Sequence, residues 1–183
     1  LTTYQIGDRQ LIDSPLHLNF WRPPVDNDRA NNFGPRSGMW RNAGPNATVT
    51  KVTKPAPNSL SFDLKIPAGD TTGNITYTIL ADGNIDVKVT VTPKGKVGPL
   101  PRLGMQCTVP NSYNQVSWFG NGPHETYADR KAGGIIGHWN ASVDELLFPY
   151  LEPQETGNLT DLRRLSVLNN ESQGFTVTTP GDF

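Results

Sequence analysis

The chain contains a single cysteine, Cys107, so it cannot close a disulfide within itself. No apolar run comes near the roughly 18 residues that a membrane-spanning helix needs. Charge of one sign is also missing. Sixteen lysines and arginines are scattered among seventeen acidic residues, for a formal net charge of −1. A nucleic-acid binder carries a basic stripe or patch, and none is present. The three histidines, His17, His124 and His138, are far apart. No cysteine or carboxylate spacing joins them into a metal-binding pattern. The first residues, Leu1-Thr2-Thr3-Tyr4, show neither a charged nor an apolar leader pattern, as a mature or excised segment also would not. Long helical stretches are excluded by the 18 glycines and 16 prolines that punctuate the chain.

What remains is alternation. Leu60-Ser61-Phe62-Asp63-Leu64-Lys65-Ile66 switches strictly between apolar and polar residues. So do 74–80 and 85–91, which flank Asp82-Gly83, a tight hairpin signal. With 47–54, these segments read as an antiparallel meander. Residues 103–109 and 115–119 read as further strands, with Cys107 buried in the first, and 174–179 as a last one. Helical signals are brief: one or two turns from Ser37 to Asn42, and a capping box formed by Ser142 and Glu145. The fold class is therefore all-β, a large antiparallel sandwich, because a half-wet sheet must bury its apolar face. Residues 1–183 read as one domain. Phe175 and Val177 form an apolar face with no following neighbour, so the domain is expected to continue past Phe183. Five Asn-X-Ser/Thr sequons, at Asn46, Asn74, Asn140, Asn158 and Asn170, exceed the two or three that chance gives in such a composition. They favour a secreted glycoprotein, without fixing the compartment.

Three polar clusters interrupt the strands. In the first, Phe20-Trp21-Arg22-Pro23-Pro24-Val25 is stiffened by its prolines and leads into Asp26-Asn27-Asp28 and a polar loop containing Arg29, Asn31, Asn32 and Phe33. Such loops often contact ligands. The plainer role for Asp26 and Asp28 is to cap backbone N–H groups. The second cluster runs from Trp118 to Arg130, where Glu125, Asp129 and Arg130 are placed to form a charge-assisted network around Tyr127. It suits either a structural corner or a polar ledge beside Trp118 on which a sugar could lie. The third is Phe148-Pro149-Tyr150-Leu151-Glu152-Pro153-Gln154-Glu155-Thr156-Gly157, an extended or looped segment in which Glu155 is expected to pair with Arg163 across the turn at Gly157. Asp26, Glu125 and Glu155 are carboxylates of the type a glycosidase pairs across one sugar, but sequence spacing does not bring them together.

These three clusters carry a resemblance. Phe20 to Asp28 resembles the F-x-R-A-P-x-D-N-D segment that opens the C-terminal domain of β-galactosidases of glycosidase family 2. Trp118 to Arg130 is similar to W-x-G-x-G-P-x-E-x-Y-x-D-R, and Tyr150 to Asn158, with Arg163 downstream, to Y-x-x-P-x-E-x-G-x followed by Arg. Pro24 stands where the family more often has a small residue, and the loop after Asp28 differs, which leaves the sugar open.

The resemblance implies a galactose-mutarotase-like sandwich, the larger N-terminal part of a small-chain-type domain. The parent would be a retaining exo-glycosidase acting on terminal β-galactosides or another β-linked sugar. Its catalytic glutamates would lie in an upstream barrel, so no catalytic residue is expected in this chain. Asp26, Asn27, Asp28, Arg29, Asn31, Asn32 and Phe33 would stand near the mouth of the barrel's site. Arg22, Glu125, Tyr127, Asp129, Arg130, Glu155 and Arg163 would form the structural polar network. A late Gly-rich, Trp-containing segment that walls the sugar pocket falls outside this sequence. No cofactor is implied here; magnesium and sodium, where a parent uses them, belong to its other domains. The implied partners are those domains and the sugar, with no nucleic acid and no membrane. Two other readings compete with this one. One is a stand-alone carbohydrate-binding module using Trp21, Trp118 and Trp139. The other is an aldose 1-epimerase, for which the histidines offer no acid–base arrangement.

Overall fold

Strand is the predominant regular structure. In a computed structural model that describes residues 1–179, twelve strands and two short helices follow one another. Strands β1 (Gln5–Ile6), β2 (Arg9–Gln10) and β3 (His17–Asn19) come first. Helices α1 (Asp26–Ala30) and α2 (Phe33–Ser37) follow, with a 3₁₀ turn at Gly38–Trp40. Then come β4 (Thr48–Ala56), β5 (Ser59–Lys65), β6 (Thr72–Ile79), β7 (Ile85–Thr92) and β8 (Gly104–Gln106). The last four are β9 (Gln115–Gly122), β10 (Ile135–Ser142), β11 (Arg164–Leu168) and β12 (Gly174–Thr178). Every strand pairing is antiparallel. The class is all-β, as the alternation predicts. The chain forms two compact units, residues 16–106 and residues 1–15 with 107–183.

The first unit is built on the meander β4-β5-β6-β7. Register places Phe62, Ile75 and Val89 in one row and Leu64 beside Gly73 and Val91 in the next. This apolar face packs with Leu18, Phe20, Trp40, Ala43, Ile66 and Ala68 into one core. Phe20 and Trp40 meet with centroids 5.5 Å apart, and the indole N–H of Trp40 donates to the Gly98 carbonyl at 3.0 Å. Burying a large ring in this way is stabilising only because its polar edge keeps a partner. On the opposite face, Asn74 donates to Ser61 and Asp63, and Thr76 donates to Ser61. This cross-strand polar ladder covers Ser61, so the residue is buried although it points away from the core. Leu60 and Ile79 lie where the apolar face runs out of cover and are exposed. The hairpin between β6 and β7 is longer than a two-residue turn. Leu80 pairs with Asn84 around a three-residue loop, and Gly83 takes φ +86°, a left-handed backbone that glycine adopts without strain. Pro55 sits in β4, an outer strand of this sheet, where its missing N–H need not cost a ladder bond.

The second unit carries the sheet β10-β9-β11-β12. Trp118 and Val116 of β9 are buried, together with Leu11, Ile12 and Tyr113. The Tyr113 hydroxyl donates to the Gln10 carbonyl and ties the N-terminal segment down.

Several expectations are corrected. The stretch after Asp28 is not a loop but two five-residue helices. Cys107 lies just beyond β8, outside any strand and only half-buried; burial raises its thiol pKa. The strand at 115–119 extends to Gly122, and β10 and β11 add two strands that the alternation does not announce. The capping box forms: the Ser142 N–H donates to Glu145 at 2.8 Å, and the Glu145 N–H donates back to the Ser142 hydroxyl at 3.3 Å. The continuation expected past Phe183 lies outside the described residues.

Ile66, just past β5, is fully buried, whereas Leu60 within β5 is 46% exposed. Ile66→Ala should therefore cost about 2–5 kcal/mol and Leu60→Ala less than about 1 kcal/mol. Urea unfolding midpoints of the two variants test this difference.

Candidate functional site

The residues marked by the sequence assemble at two places, one in each unit. In residues 16–106, the extended Trp21-Arg22-Pro23-Pro24 run turns into α1, with Val25 at its N-cap position. Valine has no side-chain acceptor, so Asp28 does the capping from three residues downstream. Its Oδ2 accepts the Val25 N–H at 2.8 Å. The same carboxylate is held by Arg22, with Nη1 to Oδ2 at 2.5 Å and Nη2 to Oδ1 at 3.2 Å. Arg22 in turn lies 4.7 Å from the centroid of the Phe33 ring, and Trp21 packs on that ring at 4.8 Å. The Arg22 hydrogen bond, joined by the Val25 N–H, holds the Asp28 carboxyl below the usual carboxylate range against the opposing effect of burial.

Phe33 is 5% exposed and Asp28 is buried, so both are fixed parts of the framework. Asn27, Arg29, Asn31 and Asn32 face solvent. Asp26 stands 3.7 Å from Arg29, and the Arg36 guanidinium donates to Asn31 at 2.7 Å. Asn32 has φ +50°, a left-handed conformation that asparagine tolerates better than most residues. Truncating Phe33 would therefore remove a buried ring, whereas the Asn31 and Asn32 side chains are exposed.

In the second unit, Glu125 is the hub. Arg130 donates to its Oε1 at 2.5 Å and the Gly157 N–H to its Oε2 at 2.8 Å; the Tyr150 hydroxyl also donates to Oε1. Arg130 reaches the Tyr150 oxygen at 3.1 Å and lies 5.2 Å from the Tyr127 ring centroid. Burial opposes the charge on Glu125, but the hydrogen bonds from Tyr150, Gly157 and Arg130 together outweigh it and keep the carboxyl below its ordinary range. Burial, then the Glu125 charge, pushes the Tyr127 hydroxyl up to about 12; Glu155 adds to that field.

A second set of bonds runs beside the hub. The Thr126 N–H donates to the Asn158 carbonyl, and the Asn158 amide donates to the Thr126 carbonyl, both at 2.7 Å. The Thr160 N–H donates to the Thr126 hydroxyl at 3.0 Å, and Lys131 pairs with Asp161 at 2.9 Å. Residues 121–131 and 150–161 are thereby pinned together.

Of the network residues, Arg22, Glu125, Tyr127 and Arg130 stand in such contacts, although Arg130 itself is largely exposed. Arg163 lies 5.3 Å from the Phe119 ring centroid, and Glu155 is half-buried. The Asp129 side chain is exposed and takes no part in the Glu125 hub. Tyr150, Gly157, Thr126, Asn158 and Thr160 do the joining and were not singled out for it. Thr126, Tyr150, Gly157 and Asn158 lie inside the quoted segments, the one signal the sequence offers for them, whereas Thr160 lies outside those segments. Trp118 is 1% exposed and donates its N–H to the Asn121 carbonyl, so no sugar can stack on it. Trp139 lies against Gly122, where a Cβ would stand 2.6 Å from the indole, and against Gly137, where it would crowd the ring at 3.0 Å. Of the sequon asparagines, Asn46, Asn140 and Asn170 are exposed, whereas the amides of Asn74 and Asn158 donate to internal partners.

The family profile described as "Beta galactosidase small chain" matches residues 1–180. A beta-galactosidase of Priestia megaterium is 33% identical over 178 residues, covering 96% of this chain. One from Vibrio cholerae is 32% identical over 172 residues, covering 86% of this chain. One from Lactobacillus delbrueckii subsp. bulgaricus is 30% identical over 180 residues, covering 94%. The chain spans 17% of the length of each of these curated relatives.

Removing the Glu125 side chain strands the Gly157 N–H and the Tyr150 hydroxyl, so Glu125→Ala should cost about 1–3 kcal/mol. Arg130→Ala removes an exposed partner and should cost less. Because the folded chain depresses the Glu125 pKa, the charged form stabilises the fold above the usual carboxylate range, and that contribution is lost as pH falls through the depressed value. Thermal unfolding between about pH 6 and 2 should thus fall less steeply in Glu125→Gln than in the parent sequence. Equal slopes would remove Glu125 from the role of ionised hub.

Proposed function

Because this chain belongs to the beta-galactosidase small chain family, we propose that it is an accessory domain of a larger, retaining exo-β-galactosidase-type glycosidase of family 2. In that reading the parent hydrolyses terminal β-galactosides with a carboxylate pair held in another domain. This chain supports the assembly and shapes the entrance to the sugar site. The observation that carries the reading is the mismatch in coverage: the match to a beta-galactosidase takes in 96% of this chain but only 17% of that protein.

The entrance role falls to the exposed side of the two short helices: Asn27, Arg29, Asn31 and Asn32. Beneath them the Arg22–Asp28 pair and the Trp21–Phe33 packing hold the backbone. That is the arrangement a pocket rim needs, with polar groups toward the ligand on a fixed support. Any metal the parent uses would belong to its other domains, and carbohydrate contact would occur only in the assembled parent.

The test is the mass of the natural polypeptide, read by immunoblot with an antibody raised to this segment. A band several times the 20.0 kDa of this chain is expected. A band near that mass would overturn the accessory-domain reading. In the parent enzyme, Asn31→Ala with Asn32→Ala should leave the unfolding temperature unchanged within about 1–2 °C and change KM or kcat/KM for a β-galactoside by about threefold or more. Unchanged kinetics would take these helices away from the entrance.

A further inference from the structure

Residues 143–151 present apolar side chains outward along a short strap. Val143, Leu147, Phe148 and Leu151 are 42%, 60%, 58% and 103% exposed. Isolated exposed hydrophobics are ordinary, but four within nine residues concentrate apolar surface on one segment. The strap is also held rather than loose. At its start, Ser142 and Glu145 exchange backbone and side-chain hydrogen bonds, and the Val143 N–H donates to the Asn114 carbonyl at 2.9 Å. Near its end, Tyr150 is fixed by Glu125 and Arg130, with its ring packed on Phe148 at 4.6 Å. Of the strap's three polar side chains, Glu145 and Tyr150 are spent on anchoring and Asp144 is exposed, while Val143, Leu147, Phe148 and Leu151 are left facing out. A segment meant for water has the opposite distribution.

We propose that this strap is a docking surface for another domain of the same polypeptide, which covers Phe148 and Leu151 with its own apolar residues. The inference rests on the accessory-domain reading and names the partner for it. The occupant follows from the relatives, in which this segment is 17% of a much longer protein. A domain joined covalently sits at high effective concentration, so a small pre-formed surface is enough to hold it. The Glu125 hub then has a purpose beyond local stability: it sets the height and angle at which the strap meets its partner.

The experiment uses the full-length natural polypeptide. Leu151→Cys, Phe148→Cys and, as an exposed control in the hairpin loop, Asp82→Cys are labelled with a maleimide, and each labelled peptide is quantified by mass spectrometry. The cysteines at 151 and 148 should react about tenfold or more slowly than the one at 82 in the native protein, and equally fast in urea. Equal native rates at all three positions would overturn the proposal. Protection that disappears on dilution, together with a drop in oligomer mass, would assign the strap to a second copy and also overturn it. The second strap variant covers the case in which one substitution prevents folding. A natural polypeptide no longer than this chain would instead defeat the accessory-domain reading, on the immunoblot, before any labelling is read.

Discussion

In both units a carboxylate accepts a backbone N–H from an irregular segment while an arginine neutralises it. Asp28 does this for Val25 with Arg22, and Glu125 for Gly157 with Arg130. In each case the guanidinium also lies over an aromatic ring, Phe33 or Tyr127. The constraint behind the repetition is general. A chain this rich in glycine and proline makes long connections, and their backbone groups find no ladder partner. A charged acceptor supplies one strong bond where a strand would have supplied several weaker ones. Packing the arginine on a ring then lets its stem be buried while its charge stays partly solvated.

This arrangement explains why the candidate sites are mostly framework. The groups that look most reactive in the sequence, Asp28 and Glu125, are consumed by holding loops, and each is kept ionised by its donors. What they hold is more exposed than they are: the outer faces of α1 and α2 in one unit, and the strap around Phe148 in the other. Chemistry would be a poor use of a carboxylate whose oxygens are already taken by hydrogen-bond donors. Positioning is a good one.

The meander from β4 to β7 was legible because its apolar face is buried on one side only, so burial writes a period of two into residues 60–91. Strand β10 was not. It lies at the edge of its sheet, and its half-buried face carries Gly137, Trp139 and Ala141 while Ile136 stands on the exposed one, so the residue types do not follow the alternation in burial. The helices α1 and α2 were missed because five residues are too few to display a helical period. Glu125, Tyr127 and Arg130 could be read as a cluster from proximity in sequence. Tyr150, 25 residues away from Glu125, joins them only through the fold. The three ordered segments carried the family, and no periodicity could have done so.

The distribution of tryptophan separates the units optically. Trp40 is buried in residues 16–106, with its N–H on the Gly98 carbonyl, and Trp118 is buried in the other unit, with its N–H on the Asn121 carbonyl. Each indole is therefore a fluorophore in a dry, hydrogen-bonded site belonging to one unit alone. The emission of Trp118 reports on the turn that carries Glu125, and that of Trp40 on the core beneath the meander. Trp21 in the first unit and Trp139 in the second also emit, so each half carries two indoles, and replacing the pair of one half with phenylalanine leaves light that reports on the other half alone.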